Sequence, residues 1–169
     1  GGSGGTSETK AESSAAADTS AKKEEAETEA AGEKKDGSEY KIGLVTDVGG
    51  VNDGSFNQSS WEGLQKAAED FGVEVNYLES STDADYVPNI ETFIDEEYDL
   101  IISVGYMLAD ATKQAAEANP ECKFAIIDDA TIDLPNVTCL MFRQEQASYL
   151  VGYVAGLMTE TDNIGVVIG

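Results

Sequence analysis

Between Asp47 and Gln58 the chain reads DVGGVNDGSFNQ, with three glycines and five carboxylate- or carboxamide-bearing residues in twelve positions. A phosphate-cradling loop also uses glycines, but it wants a lysine or an uncompensated helix N-terminus beside them. Here Asp47 and Asp53 bring negative charge, so phosphate is a poor fit. Carboxylates and carboxamides in one loop suit a neutral ligand rich in hydrogen-bond donors, such as a sugar hydroxyl or a base edge. Part of the loop has a plainer task, because Asp53 or Ser55 stands where a helix cap is needed. Capping by one of them leaves Asp47, Asn52, Phe56 and Asn57 unexplained.

Further on, three apolar runs end in chemically useful residues: Gly105-Tyr106, Asp128-Asp129, and Phe142-Arg143-Gln144-Glu145. An aspartate at the end of a buried strand can accept from a vicinal diol. The alternative for Asp128 is a turn residue. The chain has no histidine and only two cysteines, Cys122 and Cys139. That leaves no plausible zinc site and no histidine-assisted nucleophile. Both cysteines fall near the starts of predicted strands and read as two buried thiols, with a bridge between neighbouring strands as the alternative.

These residues need a scaffold, and the apolar pattern supplies one. Strands are predicted at 41–46, 73–78, 100–104, 123–127 and 137–142, and a sixth begins at 164–168. Helices are predicted at 55–71, 85–97, 108–118 and 144–159. Gly72 stands as a stop signal after the first, Pro88 is tolerated in the first turn of the second, and Asn119-Pro120 ends the third. Leu100 to Val104 (LIISV) is the nearly continuous apolar run of a strand covered on both faces. Gly152, Ala155 and Gly156 predict close packing of the last helix. Strands alternating with helices argue an α/β fold with a doubly wound parallel sheet, whose ligands bind beyond the carboxyl ends of the strands.

Residues 1–39 differ in kind. They contain no Val, Ile, Leu, Phe, Trp or Met, so they lack the apolar surface to offset the entropy of ordering and are expected to be a disordered tether. They carry ten acidic and five basic residues, and the other 130 carry 23 acidic and five basic. A surface that negative repels phosphate backbones, which excludes nucleic acid as a partner. No run of 18 apolar residues exists to cross a bilayer. The chain opens Gly1-Gly2-Ser3-Gly4-Gly5 with neither an initiator methionine nor a signal peptide. That start resembles a lipoprotein whose lipid-anchoring cysteine is missing from the chain as given; an expression scar or a natural linker is the alternative.

With these residues in view, Asp47 to Gly63 (DVGGVNDGSFNQSSWEG) resembles the signature of the basic membrane protein family. Its members are lipoproteins that bind purine nucleosides for ABC transporters. Phe142 to Gly156 (FRQEQASYLVGYVAG) is similar to a second marker of that family, and Phe124 to Asp128 (FAIID) to a third. The resemblance spans residues 40–169 and implies a two-lobed type I periplasmic-binding-protein fold with ligand held between the lobes. It implies that Phe56 stacks on the purine, that Asp47 and Asn57 hydrogen-bond its edge, and that Asp128 holds ribose hydroxyls with Asn52 and the backbone of Gly105 nearby. It also implies that residues 40–160 form the N-terminal ligand-binding lobe and 161–169 the first strand of a second lobe. No cofactor and no metal is implied. The expected partners are the transporter's membrane subunits, and the expected location is the extracytoplasmic face of the cell membrane, held by the lipid anchor.

Two other readings use the same fold. A nucleoside-sensing regulatory receptor would bind without transporting, but it has no use for a lipoprotein-type tether. An enzyme on a flavodoxin-like or nucleoside-processing scaffold would need an acid–base pair. Asp47 and Asp53 are the available carboxylates, yet nothing in the sequence argues that they work as one. Binding without catalysis is the expectation. Limited proteolysis is expected to cut near residues 36–39 and to leave a resistant core from about Tyr40; protection of residues 10–35 would contradict the tether.

Overall fold

A computed structural model of the protein describes residues 1 and 36–167. The chain divides into two units, Gly1–Asp36 and Gly37–Gly169. The tether expected over residues 1–39 falls almost wholly outside the described residues. Gly37, ahead of the expected start at Tyr40, already belongs to the fold: it is buried, and its N–H donates to Phe71 O at 2.7 Å.

In chain order the second unit runs β1 (Lys41–Val45), α1 (Phe56–Phe71), β2 (Glu74–Leu78), α2 (Tyr86–Asp95), β3 (Leu100–Val104), α3 (Ala109–Ala118), β4 (Phe124–Ile127), β5 (Val137–Leu140) and α4 (Gln144–Met158). The five strands form one sheet in the order β2-β1-β3-β4-β5, and every neighbouring pair is parallel. From β1 the chain first steps outward to β2, then crosses back to β3 on the other side. That reversal opens a crevice between the carboxyl ends of β1 and β3, the switch point of a doubly wound sheet.

Successive residues of a strand point to opposite faces, and the two cores follow that alternation. Val45 and Ile101 join Tyr86, Ile90 and Phe93 of α2 and Leu108, Ala115 and Ala116 on one face. Leu44 and Val104, which point the opposite way, meet Leu64 of α1 on the other, with Trp61 and Ile102 packed alongside. Tyr86, Ile90 and Phe93 recur at helical spacing and so form one buried stripe. The small residues of α3 let it lie close to the sheet, where Thr112 Oγ1 donates to Ser103 Oγ at 2.7 Å with both groups fully buried. Gly72 closes α1 in the left-handed conformation, φ 77°, its N–H donating to Ala68 O at 2.9 Å.

Several expectations need correcting. β5 ends at Leu140 rather than Phe142, because its partner β4 ends at Ile127 and the last rung is Asp128 N–H to Leu140 O at 2.8 Å. The close packing expected of α4 is not realised: no α4 residue is buried, and no atom lies within 4 Å of a side chain built at Gly152 or Gly156. Nor is the run at 164–168 a strand over its described residues 164–167, which are irregular and pair with no neighbour. A strand exists only through its ladder, so an apolar run without a partner strand stays irregular. Cys122 and Cys139 are free thiols, each half-buried rather than fully buried. Burial, followed by the charge of Glu121, pushes the Cys122 thiol up.

Gly43 shows how tightly α2 meets the sheet. A Cβ there would lie 2.6 Å from Phe93 Cγ, so only glycine lets the ring reach the strand. Gly43→Ala is expected to destabilise the fold by about 1–3 kcal/mol through overpacking. Urea unfolding should show that Phe93→Leu relieves part of that loss; strictly additive effects of the two changes would contradict the clash.

Candidate functional site

The loop after β1 is built from side-chain acceptors. Asp53 Oδ1 accepts from the N–H groups of Ser55 at 2.8 Å and Gln58 at 3.0 Å, and Oδ2 accepts from Asn57 N–H at 3.1 Å. Those are the orphan donors at the start of α1, so Asp53, and not Ser55, does the capping. Burial alone would raise the Asp53 carboxyl. The N–H donors of Gln58, Ser55 and Asn57, with the Asn57 side chain, outweigh it and hold the group below its ordinary 3.8. Glu79, just past β2, reaches back to accept from Val51 N–H at 2.8 Å. Its Oε1 also lies 2.8 Å from where a Cβ would stand on Gly50, whose φ of 68° favours glycine on its own account.

Asp47 and Asn57 meet inside this loop. Asp47 Oδ1 accepts from Asn57 Nδ2 at 2.6 Å and from Gly49 N–H at 2.8 Å. On the far side of the same carboxylate, Oδ2 lies 3.7 Å from where a Cβ would stand on Gly105. Gly105 follows β3 directly, so Asp47 and Gly105 face each other across the switch point. The Gly105 N–H is not open to a ligand, since it donates to Ile127 O at 2.9 Å. With φ at 96°, Gly105 keeps the chain close to Asp47 where other residues would be strained. Behind the loop, the Tyr86 hydroxyl is buried close to the backbone of Val48. Burial, then the charges of Asp47 and Asp83, push its ionisation up.

Phe56 and Asp128 line a cavity whose walls do not include Asp47, Asn57 or Gly105. This cavity, of about 760 Å³, is lined by Ser55, Phe56, Ser59, Ile127, Asp128 and Phe142, among others. Phe56 is 45% exposed, and its ring centre stands 6.0 Å from that of Phe142 at an angle of 59°. Asp128 takes φ 64°, a left-handed conformation that aspartate tolerates better than most residues. The turn role falls to its neighbour: Asp129 is buried and accepts from Thr131 N–H at 2.8 Å and from the Thr131 hydroxyl.

The candidate residues thus divide into two groups. Phe56 and Asp128 share the cavity, whereas Asp47, Asn57 and Gly105 meet at the switch point. Asn52 is exposed in the loop between β1 and α1. A second cavity, of about 710 Å³ and lined by Tyr40, Tyr98, Cys122 and Lys123 among others, holds none of them. It opens by the amino ends of the strands, the wrong end for ligand binding in a parallel sheet. Glu79 and Tyr86 are residues that sequence reasoning did not single out, and Phe142 stands at the end of a predicted strand without an assigned role. Phe142 lies inside the second marker run, so its signal was present. Glu79 is 28 residues from the N–H it accepts, and no local pattern announces such a pairing.

A doubly wound parallel sheet with polar loops at its carboxyl ends is shared with periplasmic-binding-protein-like solute-binding proteins, of which this chain covers one lobe. Residues 41–169 match the family described as ABC transporter substrate-binding protein, PnrA-like, and the chain belongs to that family. It is 44% identical over 143 residues to the CD4+ T-cell-stimulating antigen of Listeria innocua, covering 82% of this chain and 40% of the relative. It is 38% identical over 135 residues to the ABC transporter nucleoside-binding protein BmpA of Lactococcus lactis, covering 78% and 38%. Among solved structures, an ABC transporter solute-binding protein from Aeropyrum pernix K1 matches with a TM-score of 0.64 and 34% identity, over 69% of this chain and 32% of that one. The chain therefore spans about two fifths of the length of the curated relatives it matches. The family is one of solute-binding proteins and not of enzymes.

The Asp53 cap has a testable pH signature. Because its folded carboxyl is held low, the stability it contributes is complete above the ordinary value of 3.8 and is lost as pH falls below that, through the folded value. Asp53→Ala should destabilise the protein by about 0.5–2 kcal/mol near neutral pH. In urea unfolding the gap between the two proteins should narrow as pH falls below 3.8; a gap that widens on acidification would contradict the cap.

Proposed function

We propose that this protein is an extracytoplasmic, lipid-anchored substrate-binding component of an ABC transporter that captures purine nucleosides for import. The observation that carries the reading is the juxtaposition of an exposed aromatic ring and a carboxylate in one cavity. Phe56 offers a face on which a purine stacks, and Asp128 offers acceptors for the vicinal hydroxyls of a ribose. Phe142, tilted beside Phe56, adds an edge that prefers the face of a flat ring. Asp47 accepts from a donor on the base at the switch point, with Gly105 alongside and Asn52 at the rim. The relative from Lactococcus lactis, named as a nucleoside-binding protein, supports the ligand class.

The membrane part of the proposal rests on the lipid anchor and not on a spanning segment. No helix among the described residues is long and apolar enough to cross a membrane. Relatives named as lipoproteins, such as one from Pyrococcus furiosus, support an anchor of that kind. The strongly negative surface suits an uncharged nucleoside better than a nucleotide, whose phosphates it repels.

Calorimetric titration of the full-length protein with inosine, guanosine and adenosine tests this directly. Phe56→Ala is expected to weaken binding by about 1–3 kcal/mol, the range for one aromatic–base stack. Asp128→Asn, which also tolerates the left-handed backbone, is expected to weaken it by about 1.5–3 kcal/mol through loss of a charged acceptor. Both variants should unfold at urea concentrations close to those of the parent protein. Full affinity in either variant, or no nucleoside binding by the parent, overturns the reading.

A further inference from the structure

The loop between β1 and α1 is secured at its start, its end and its middle. It leaves the sheet at Thr46, which is fully buried and whose N–H donates to Leu78 O at 3.1 Å. Asp53 gathers its end onto the start of α1. In the middle, the N–H groups of Gly49 and Gly50 donate to Asp47 and that of Gly54 to Gln58, all within the loop or α1. Among the described residues, only Val51 N–H in the stretch from Gly49 to Gly54 has a hydrogen bond that reaches further, to Glu79 Oε1 at 2.8 Å. Val51 is 6% exposed, so water is poorly placed to replace that acceptor.

Glu79 is itself seated. Asn89, in the first turn of α2, donates through Nδ2 to Glu79 O and to Ser80 Oγ, both at 3.1 Å. Ser80 is buried, and its N–H donates to Thr46 Oγ1 at 3.3 Å; the Thr46 hydroxyl donates in turn to Asp47 O at 2.8 Å. The segment just past β2 thus supports both the start of the loop and its middle. Glu79 is exposed, yet it lines neither of the two cavities described above. Its bonded oxygen is spent on the protein's own backbone.

We infer that Glu79 is a positioning residue for ligand capture: by holding Val51 it fixes the adjacent Asn52 at the rim of the crevice and keeps the loop from Asp47 to Asp53 in its binding conformation before a ligand arrives. The inference rests on the proposed function of that loop. Ordering the loop in advance removes an entropic cost that association would otherwise carry.

Hydrogen exchange and calorimetry on the full-length protein test it. In the ligand-free protein, Glu79→Ala should speed exchange of the Val51 amide roughly tenfold, while the amides of Leu44 and Ile101 in the sheet exchange as in the parent. Inosine should bind that variant roughly three- to tenfold more weakly. Glu79→Gln keeps a carbonyl oxygen for the Val51 N–H, and is expected to recover most of the protection and most of the affinity together. Protection recovered without affinity would place the Glu79 charge on the ligand and overturn the inference. Unaltered Val51 exchange in Glu79→Ala would overturn it too, as would exchange of Leu44 and Ile101 accelerated to the same degree, which marks a general loss of stability. Parent-like inosine affinity in a Glu79→Ala protein that has lost Val51 protection is equally fatal to it. If the parent protein binds no inosine, the nucleoside reading fails, while the exchange measurement still decides whether Glu79 holds the loop.

Discussion

Backbone N–H groups in the loop between β1 and α1 have no strand or helix to donate to, and the way they are satisfied shapes everything at the ligand end of this lobe. The acceptors are side chains: Asp47 for Gly49, Glu79 for Val51, Gln58 for Gly54, and Asp53 for Ser55, Asn57 and Gln58. Val51 and Asn57 are buried, and a buried donor without an acceptor would cost about 1–3 kcal/mol, so Glu79 and Asp53 in particular hold the loop in place. The negative charge that a phosphate site could not tolerate is what the loop itself consumes. Of the two Asp47 oxygens, Oδ2, which lies by Gly105, has no bonded donor among the described residues.

Carboxylates in this protein therefore divide between architecture and binding, and proximity in sequence does not decide which. Asp128 and Asp129 are adjacent, yet Asp129 is buried in a turn with Thr131 while Asp128 lines the cavity. Asp47 and Asp53 share one loop, yet Asp53 spends both oxygens on the helix start. The same division applies to aromatic residues. Phe93 of α2 is buried against β1, whereas Phe56 and Phe142 stay exposed beside an open cavity.

The apolar surface of α4 belongs to another part of the physics. Tyr149, Leu150, Tyr153 and Leu157 are each more than 60% exposed, and Val166 and Val167 beyond them are more exposed still. A contiguous apolar stretch of that kind marks a surface that other protein covers. The second lobe implied by the family resemblance is the proposed cover.

Much of the fold was legible from periodicity, because burial imposes it. The alternation of strands and helices, the Gly72 stop and the doubly covered β3 follow from which residues leave water. Chemical type likewise brought out Asp47, Phe56, Asn57 and Asp128 as unusual, and the marker runs indicated the family. The sequence by itself determined the elements, their order and the inventory of polar groups at the carboxyl ends of the strands. It did not determine which groups are spent on the protein's own backbone. That depends on distances between residues far apart in the chain, such as Glu79 with Val51 and Asp47 with Gly105. Only tertiary structure decided that Asp53 rather than Ser55 caps α1, that Asn57 is buried beside Asp47, and that Phe142 stands beside Phe56. A hydrogen bond is won within a few tenths of an ångström, a precision that residue types and spacings do not encode until the sheet has brought their carriers together.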